Sequence, residues 1–253
     1  MRSKFFVPVL GMHRSGTSCL SGIVQEMGVH YHNASKWNRF NLKGNQENDA
    51  IVAFHDDLLR LNGCDWACLD ATGSGLALDL GVFDFEVANT LLMHLGSETD
   101  VFGFKDPRTI LFWDCWRSLC DSLAIEVMPI GIYRDPRLVA ASLTSRDKLS
   151  KEEGFEIWAV YNKKMLDVWA KSKFPLLCFS LFPDAFDFEL QIAYSSLDRV
   201  INFGHRFKQS FFTTELVNQT DTSDELPKNV DEVLQDLHEA RFEWLARETS
   251  RCA

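Results

Sequence analysis

Long hydrophobic runs are missing from this 253-residue chain, and no apolar stretch approaches the ~20 residues that a membrane-spanning helix needs. The 7 cysteines are odd in number and form no CxxC pair, which disfavours a disulfide scaffold and predicts reduced thiols. Positive charge is also scarce, with 26 Lys+Arg against 36 Asp+Glu. That balance argues against general nucleic-acid binding and against binding to anionic membranes, because both need a basic face.

The N-terminal residues MRSKFFVPVLGMHRSG have a basic start and one short apolar run. That run is shorter than the core of a secretory signal, and a glycine-containing turn follows it directly. Together with the reduced thiols, this predicts a cytoplasmic protein with no membrane insertion.

Short β-rich segments alternate with longer helical patterns along the chain. The predicted strands are 5–10, 101–104, 127–133 and 175–180. The predicted helices are 16–27, 47–62, 84–95, 108–121, 137–147, 155–172, 185–202 and 230–248. This alternation predicts an α/β fold with a central parallel sheet flanked by helices, in a P-loop-like nucleotide-binding architecture and a single domain. Pro8 has no backbone donor, so the first strand should be short or irregular there.

We expect the α/β domain to span residues 1–217, a polar loop to span 218–229, and a C-terminal helix at 230–253 to pack on the domain. The last helix is amphipathic, which predicts a buried stripe. The stripe residues are Val230, Val233, Leu234, Leu237, Phe242 and Leu245.

The first strand leads into the loop Gly11–Ser18, whose two glycines have the GxxxxG spacing of a nucleotide P-loop. Backbone amides in such a turn, together with the N-terminus of the next helix, make a cradle for an anion. A P-loop kinase needs lysine directly after the second glycine, but this chain has Thr17 there and carries its cation, Arg14, inside the loop. A ligand with a doubly charged 5′ end therefore fits better than a nucleoside triphosphate.

Two further strand ends are built alike, FKDPR at 104–108 and YRDPR at 133–137. In each, aspartate caps the next helix and proline takes the first helical position. Lys105 and Arg134 end their strands at the edge where open parallel sheets bind ligands, so they should converge with Arg14 on one crevice. Ser142 and Arg146 share a face of the following helix. Arg134 and Ser142 could clasp one phosphate from two sides.

At this point the sequence resembles the sulfotransferases that use 3′-phosphoadenosine-5′-phosphosulfate (PAPS). The segment Arg14-Ser15-Gly16-Thr17-Ser18 matches their 5′-phosphosulfate loop, and Arg134 and Ser142 keep the spacing of their 3′-phosphate pair. The resemblance implies that the cofactor-binding residues are His13, Arg14, Ser15, Gly16, Thr17, Ser18, Arg134 and Ser142. The KDP element resembles that of protein-tyrosine sulfotransferases, where the lysine, here Lys105, supports the phosphosulfate bridge. The chain departs from the cytosolic branch, since it has no glycine after Gly204 for a late glycine-rich loop.

The implied reaction moves a sulfonate from PAPS to a hydroxyl or amine of a small-molecule, glycan or peptide acceptor. Lys105 would neutralise charge on the leaving oxygen, and Arg14 with the loop amides would hold the sulfonate. Glu47 is the preferred proton acceptor, because the resemblance places a carboxylate in the GxxE segment at 44–47. His55, His30 and His32 are the other candidates. The sequence has no metal-ligand spacing, so no metal is expected.

The acceptor pocket should lie around 30–75 and 150–170, where Trp37, Phe40 and Trp66 are either lining or core. Two other functions stay open from the sequence. One is a P-loop kinase-like phosphotransferase, and the other is a nucleotide-binding module without activity.

Overall fold

The computed structural model describes residues 3–32, 44–67, 78–179, 183–208, 210 and 222–252. Trp37 and Phe40, which the sequence suggests for an acceptor pocket, lie outside these ranges. The predicted polar loop at 218–229 is described only from residue 222 onwards. In the part of the chain that is described, no helix is both long enough and apolar enough to cross a membrane.

Seven short strands, all paired in parallel, form the sheet in the described part of the chain. They are β1 (Lys4–Phe6), β2 (Val9–Leu10), β3 (His30–Tyr31), β4 (Val101–Gly103), β5 (Ile125–Val127), β6 (Ile130–Tyr133) and β7 (Leu176–Cys178). Their order is β3-β4-β1-β5 in one group and β2-β6-β7 in the other. The parallel sheet confirms the predicted α/β class.

Proline interrupts both central strands at the same level. Pro8 separates β1 from β2, as its missing donor predicts, and Pro129 separates β5 from β6 in the neighbouring strand. The strands still bond across the break, because the Met128 amide donates to the Phe6 carbonyl at 2.8 Å and the Ile130 amide donates to the Pro8 carbonyl at 3.0 Å. The two groups are therefore halves of one layer, ordered β3, β4, β1/β2, β5/β6 and β7.

Eight α-helices cover the layer in the described residues. They are α1 (Thr17–Glu26), α2 (Asp49–Leu61), α3 (Phe85–Leu95), α4 (Trp113–Ser122), α5 (Pro136–Asp147), α6 (Lys151–Ser172), α7 (Pro183–Ile201) and α8 (Lys228–Cys252). A 3-10 helix at Pro107–Phe112 precedes α4, so the helix predicted at 108–121 is divided in two.

The chain changes sides of the sheet after β4. It runs from β2 out to the edge strand β3, returns through β4, and continues in β5 on the other side of β1. The segments after β2, β4 and β6 leave the carboxyl ends of the strands around this reversal, where open parallel sheets bind ligands. The fold thereby brings the loop at 11–16, Lys105 and Arg134 to one region.

Helix α6 lies between α5 and α8 and supports this region. Gly154 allows the close approach of α5, because a Cβ at that position would lie 3.0 Å from the Cα of Ala140. Trp158 on the same helix is fully buried, and its indole N–H donates to the Arg134 carbonyl at 2.9 Å. Packing of α6 thus fixes the backbone at Arg134.

Helix α8 docks through an apolar stripe, and one predicted member of that stripe is wrong. The predicted residues that are buried are Val230, Val233, Leu234 and Leu237, with Leu245 partly buried. Phe242 is instead 59% exposed, and Trp244 is fully buried. At 3.6 residues per turn, Phe242 lies about 140° around the helix from Leu237, whereas Trp244 lies close to two full turns beyond it.

Candidate active site

The loop between β2 and α1 is shaped by two glycines that have no room for a side chain. A Cβ on Gly11 would lie 2.5 Å from the carbonyl oxygen of Ile132 in β6. Gly16 has a φ of 86°, and a Cβ there would lie 2.5 Å from the ring of Phe179, just after β7. The loop backbone is therefore pressed against the carboxyl ends of two other strands.

This loop keeps hydrogen-bond donors for an anion. Helix α1 starts at Thr17, with no hydrogen bond from a side-chain cap and no acidic residue in its first turn, so no carboxylate there competes with an anion for the leading amides. The Ser15 hydroxyl is buried, with no hydrogen-bond partner in the same part of the chain. Arg14 has a φ of 66°, a conformation that costs a non-glycine residue about 1–2 kcal/mol. Strain of this kind is typical of functional loops.

Arg14, Arg134 and Ser142 meet on one side of the loop, as the sequence predicts. The Arg14 Nε–H donates to the Ser142 hydroxyl oxygen at 2.8 Å, and an Arg134 Nη1–H donates to the Arg14 carbonyl at 3.4 Å. Arg134 and Ser142 are both buried, at 6% exposure, and the Arg134 guanidinium lies over the Phe179 ring at 5.5 Å. Two guanidiniums and a hydroxyl therefore surround the same short stretch of backbone.

Burial and neighbouring arginines disfavour the charge of both guanidiniums. Burial, reinforced by the nearby Arg14, lowers the pKa of Arg134 to about 10. Burial and the neighbouring Arg146 also lower the pKa of Arg14. A cluster of this kind is stabilised by an anion, because a negative group offsets both the lost hydration and the like-charge repulsion.

Lys105 occupies a second position on the loop. Its side chain is buried, and the ammonium donates to Glu47 Oε1 at 2.5 Å and to the Asn45 carbonyl at 3.3 Å. It also reaches the Ser18 hydroxyl oxygen at 3.5 Å, while that hydroxyl donates to the Asn45 carbonyl at 2.9 Å. Asn48 caps α2 directly after Glu47. The start of α1, the segment at 45–47 and Lys105 therefore form one hydrogen-bonded unit.

His55, a sequence candidate for the proton acceptor, lies in the core. Its side chain is fully buried and stacks on Phe112, and the Trp116 indole N–H donates to its Nε2 at 2.9 Å. The other ring nitrogen, Nδ1, lies 3.3 Å from Asp106. The two ring nitrogens thus face Trp116 and Asp106, so the catalytic role of His55 stays a prediction that this burial disfavours.

Asp106 joins His55 to the turn that carries Lys105. Its carboxylate accepts from the Arg108 amide and from Arg108 Nη1, each at 2.9 Å. Burial by itself would raise the pKa of Asp106, but His55 and Arg108 hold that pKa well below its usual range. The carboxylate stays ionised and keeps the turn after Lys105 in place.

His13, predicted to bind the cofactor, packs among aromatic side chains. Its ring packs on Trp66 at 4.6 Å and approaches Tyr161 at 6.2 Å between centroids. Its Nε2 is buried and has no hydrogen-bond partner within the described residues. Burial, with Arg108 adding to it, lowers the pKa of His13 well below the usual value, so the imidazole is neutral. A neutral ring with an open nitrogen can accept a hydrogen bond from an acceptor hydroxyl.

His30 and His32, the remaining candidates for the proton acceptor, lie on and directly after the edge strand β3. Their rings hydrogen-bond to each other at 2.7 Å, and His32 packs on His94. Thr17, which the resemblance counts among the cofactor-binding residues, is buried at the start of α1.

Sequence reasoning had no signal for the His55–Asp106 pair, whose members are far apart in the chain. The burial of the His13 ring likewise depends on residues distant in the chain, Trp66 and Tyr161.

No protein-family model and no curated protein matches the chain. Among solved structures, it is similar to the sulfotransferase domain of the olefin synthase from Synechococcus PCC 7002. The likeness has a TM-score of 0.46 and 13% sequence identity, and it covers 94% of this chain and 96% of that one. At this distance the likeness carries no argument about activity, which we argue from the site.

Proposed function

We propose that this chain is a sulfotransferase that takes its sulfonate from PAPS and gives it to a hydroxyl or amine of a small acceptor. One observation carries the proposal: Arg14, Arg134 and Ser142 meet at one side of a glycine-shaped anion loop, while Lys105 contacts the same loop through Ser18. These two positions suit a nucleotide with phosphate on its 3′ oxygen and a charged group on its 5′ oxygen. The sequence resemblance gives the same roles to Arg134, Ser142 and Lys105, but it places Arg14 on the 5′-phosphosulfate and His13 among the cofactor-binding residues.

The residues present fit PAPS. Arg134 and Ser142 would hold the 3′-phosphate, with Arg14 beside them, because their cationic cluster gains most from an anion. The first-turn amides of α1 and the Ser15 hydroxyl, which has no hydrogen-bond partner among the described residues, would hold the 5′ end. When bound, PAPS would supply a sulfonate whose sulfur–oxygen bond to the 5′-phosphate breaks as the acceptor atom bonds to sulfur, leaving 3′-phosphoadenosine-5′-phosphate (PAP).

Lys105 would stabilise the charge that develops on the departing phosphate oxygen. Its ammonium is already fixed by Glu47, Asn45 and Ser18, so little reorganisation is needed during transfer. The buried Asp106 carboxylate holds the following turn through Arg108, which preserves that position.

Glu47 would receive the acceptor proton. Its carboxylate lies against the Lys105 ammonium, and a carboxylate is a common general base. Its side chain is 17% exposed, so it is more open than the buried lysine next to it. His13 would instead orient the acceptor by accepting a hydrogen bond at its open Nε2.

The two assignments can be separated by variants of similar shape. Glu47→Gln should lower kcat by roughly 10²–10⁴-fold, the usual contribution of a general base, with little change in the affinity for PAP. His13→Asn should mainly raise the KM of the acceptor. The opposite pattern, a kcat loss in His13→Asn and a KM effect in Glu47→Gln, would assign the proton to His13. The assay follows labelled sulfonate from PAPS onto a panel of phenols, alcohols and amines.

A kinase-like phosphotransferase is the second candidate, and the site disfavours it. Thr17 stands where such an enzyme needs lysine. Asp106, a carboxylate at a strand end where a magnesium ligand could stand, is fully buried and bonded to His55 and Arg108.

The nucleotide preference tests the proposal. We expect PAP to raise the melting temperature of the protein, because a ligand at 100 times its dissociation constant adds about 2.7 kcal/mol of stability. ATP with magnesium should add little. A shift with ATP and magnesium but none with PAP would favour the kinase, and PAP binding without transfer to any acceptor would favour the inactive module.

A further inference from the structure

Two histidines and a glutamate from separate parts of the chain come together beside the edge strand β3. His30 and His32 are two residues apart, so in an extended chain their side chains lie on the same face. Glu98 comes from the connection between α3 and β4. One ligand atom of each of these three side chains lies within 4.8 Å of the others.

The two imidazoles are closer still, with His30 Nε2 and His32 Nδ1 2.7 Å apart. One proton between these nitrogens makes the contact a hydrogen bond. A metal ion takes the place of such a proton, because a ligating histidine must present an unprotonated nitrogen. The ring of His94, at the end of α3, lies 5.0 Å from the ring of His32 and adds a third imidazole to the surroundings.

We propose that His30, His32 and Glu98 bind a divalent transition-metal ion of the zinc type. Two imidazole nitrogens and one carboxylate are a ligand set that zinc uses with a fourth position left to water or another donor. Magnesium and calcium prefer ligands that are all oxygen, so the two imidazoles select against them. His30 and Glu98 are exposed and His32 is half-buried, which leaves the ion a path from solvent.

The surroundings give this site a structural consequence. An Asn48 side-chain N–H donates to the His32 carbonyl at 2.9 Å, and the Asn48 side-chain oxygen accepts hydrogen bonds from the first amides of α2. Glu47 is the next residue towards the N-terminus. An ion held by β3 and by the α3–β4 connection would therefore brace the segment that carries Glu47. Metal binding itself does not depend on the proposed sulfotransferase activity.

Zinc titration of the full chain tests the site, using protein without a polyhistidine tag that has been freed of metal with EDTA. Isothermal titration calorimetry should show one equivalent of zinc. The double variant His30→Ala/His32→Ala should lose roughly tenfold or more in affinity, as metal sites do when their ligand shell is disturbed, and Glu98→Gln should bind more weakly than wild type. His205→Ala removes an exposed histidine elsewhere and serves as the matched control, with affinity unchanged.

Two results would overturn the proposal. One is the absence of saturable zinc binding to the wild-type protein. The other is equal zinc affinity in the wild type and the double variant, which would show that the ion binds to other groups, such as the thiols. Melting temperatures measured in EDTA show whether the double variant folds. Because the replaced histidines are exposed or half-buried, its melting temperature without metal should equal that of the wild type. Added zinc should then raise the melting temperature of the wild type but not that of the double variant.

Discussion

Replacing Arg134 by methionine tests two effects separately. One is the destabilisation that a buried cation causes in the ligand-free protein, and the other is the affinity that the same cation gives to a bound nucleotide. Burial, and after it the nearby Arg14, lowers the pKa of Arg134 from its ordinary value to about 10. Each pKa unit corresponds to about 1.4 kcal/mol, so the charged guanidinium destabilises the folded, ligand-free protein by about 3 kcal/mol. Because the folded-state pKa is depressed, this penalty is fully present at every pH below about 10 and is relieved only above it.

The variant should therefore fold at least as well as the wild type without ligand, because methionine removes both the buried charge and its repulsion with Arg14. Its affinity for PAP should fall sharply. A charge-assisted hydrogen bond contributes about 1.5–3 kcal/mol, so the loss of two to the 3′-phosphate predicts a drop of roughly 10²–10⁴-fold. Its affinity for 5′-AMP, which has no 3′-phosphate, should change little.

Calorimetry with PAP and 5′-AMP, together with urea unfolding of the ligand-free protein, measures both effects. Arg137→Met is the matched control, because Arg137 follows in the same turn but bonds to Asp135 and to the Asp224 carbonyl. If Arg134→Met kept the preference of the wild type for PAP over 5′-AMP, the 3′-phosphate assignment would be refuted. A large loss of stability without ligand would refute the penalty worked out from the pKa.

Three further predictions concern the rest of the site. Lys105→Met should keep most of the PAP affinity but lose roughly 10²–10³-fold in kcat, because a donor to the developing charge is removed. Normal sulfonate transfer by this variant would contradict the assignment. Gly16→Ala should abolish PAP binding, whereas Gly63→Ala, at a similar positive φ but with open space around it, should cost only the backbone strain of about 1–2 kcal/mol in urea unfolding. Equal effects of the two glycine variants on PAP affinity would count against a packed anion loop. His55→Phe should destabilise the fold by about 1–3 kcal/mol at neutral pH, because it removes one partner of a buried carboxylate that still keeps Arg108. The stability that Asp106 provides is present above its unfolded pKa of about 3.9 and disappears as the pH falls through its lower folded pKa. The difference in unfolding free energy between wild type and variant should therefore become smaller in acid. A difference that stays constant in urea unfolding across that pH range would be inconsistent with this role.

The strand ends were predictable because their chemistry is local. Aspartate caps and first-turn prolines mark where the helices begin after Lys105 and Arg134, and the structure has both caps. Pro8 also predicted the irregular first strand. The meeting of Arg14 with Arg134 then follows from parallel strands whose carboxyl ends share one edge.

Other features depend on contacts between residues that are far apart in the sequence, and a local sequence pattern does not predict such contacts. The two-residue strand β3 is too short to give a period, so it was not predicted. His55 reads as a helix-face histidine until Trp116, from another helix, closes over its Nε2. The open nitrogen of His13 similarly depends on Trp66 and Tyr161. The functional roles of all these residues stay predictions.

A crystal structure of the protein with PAP tests the central claim most directly. The account predicts that the 3′-phosphate is within hydrogen-bond distance of Arg134 and Ser142, and that the 5′-phosphate lies on the amides at the start of α1, with Lys105 facing it. A complex in which PAP binds away from this loop, or in which the 3′-phosphate does not contact Arg134, would contradict it.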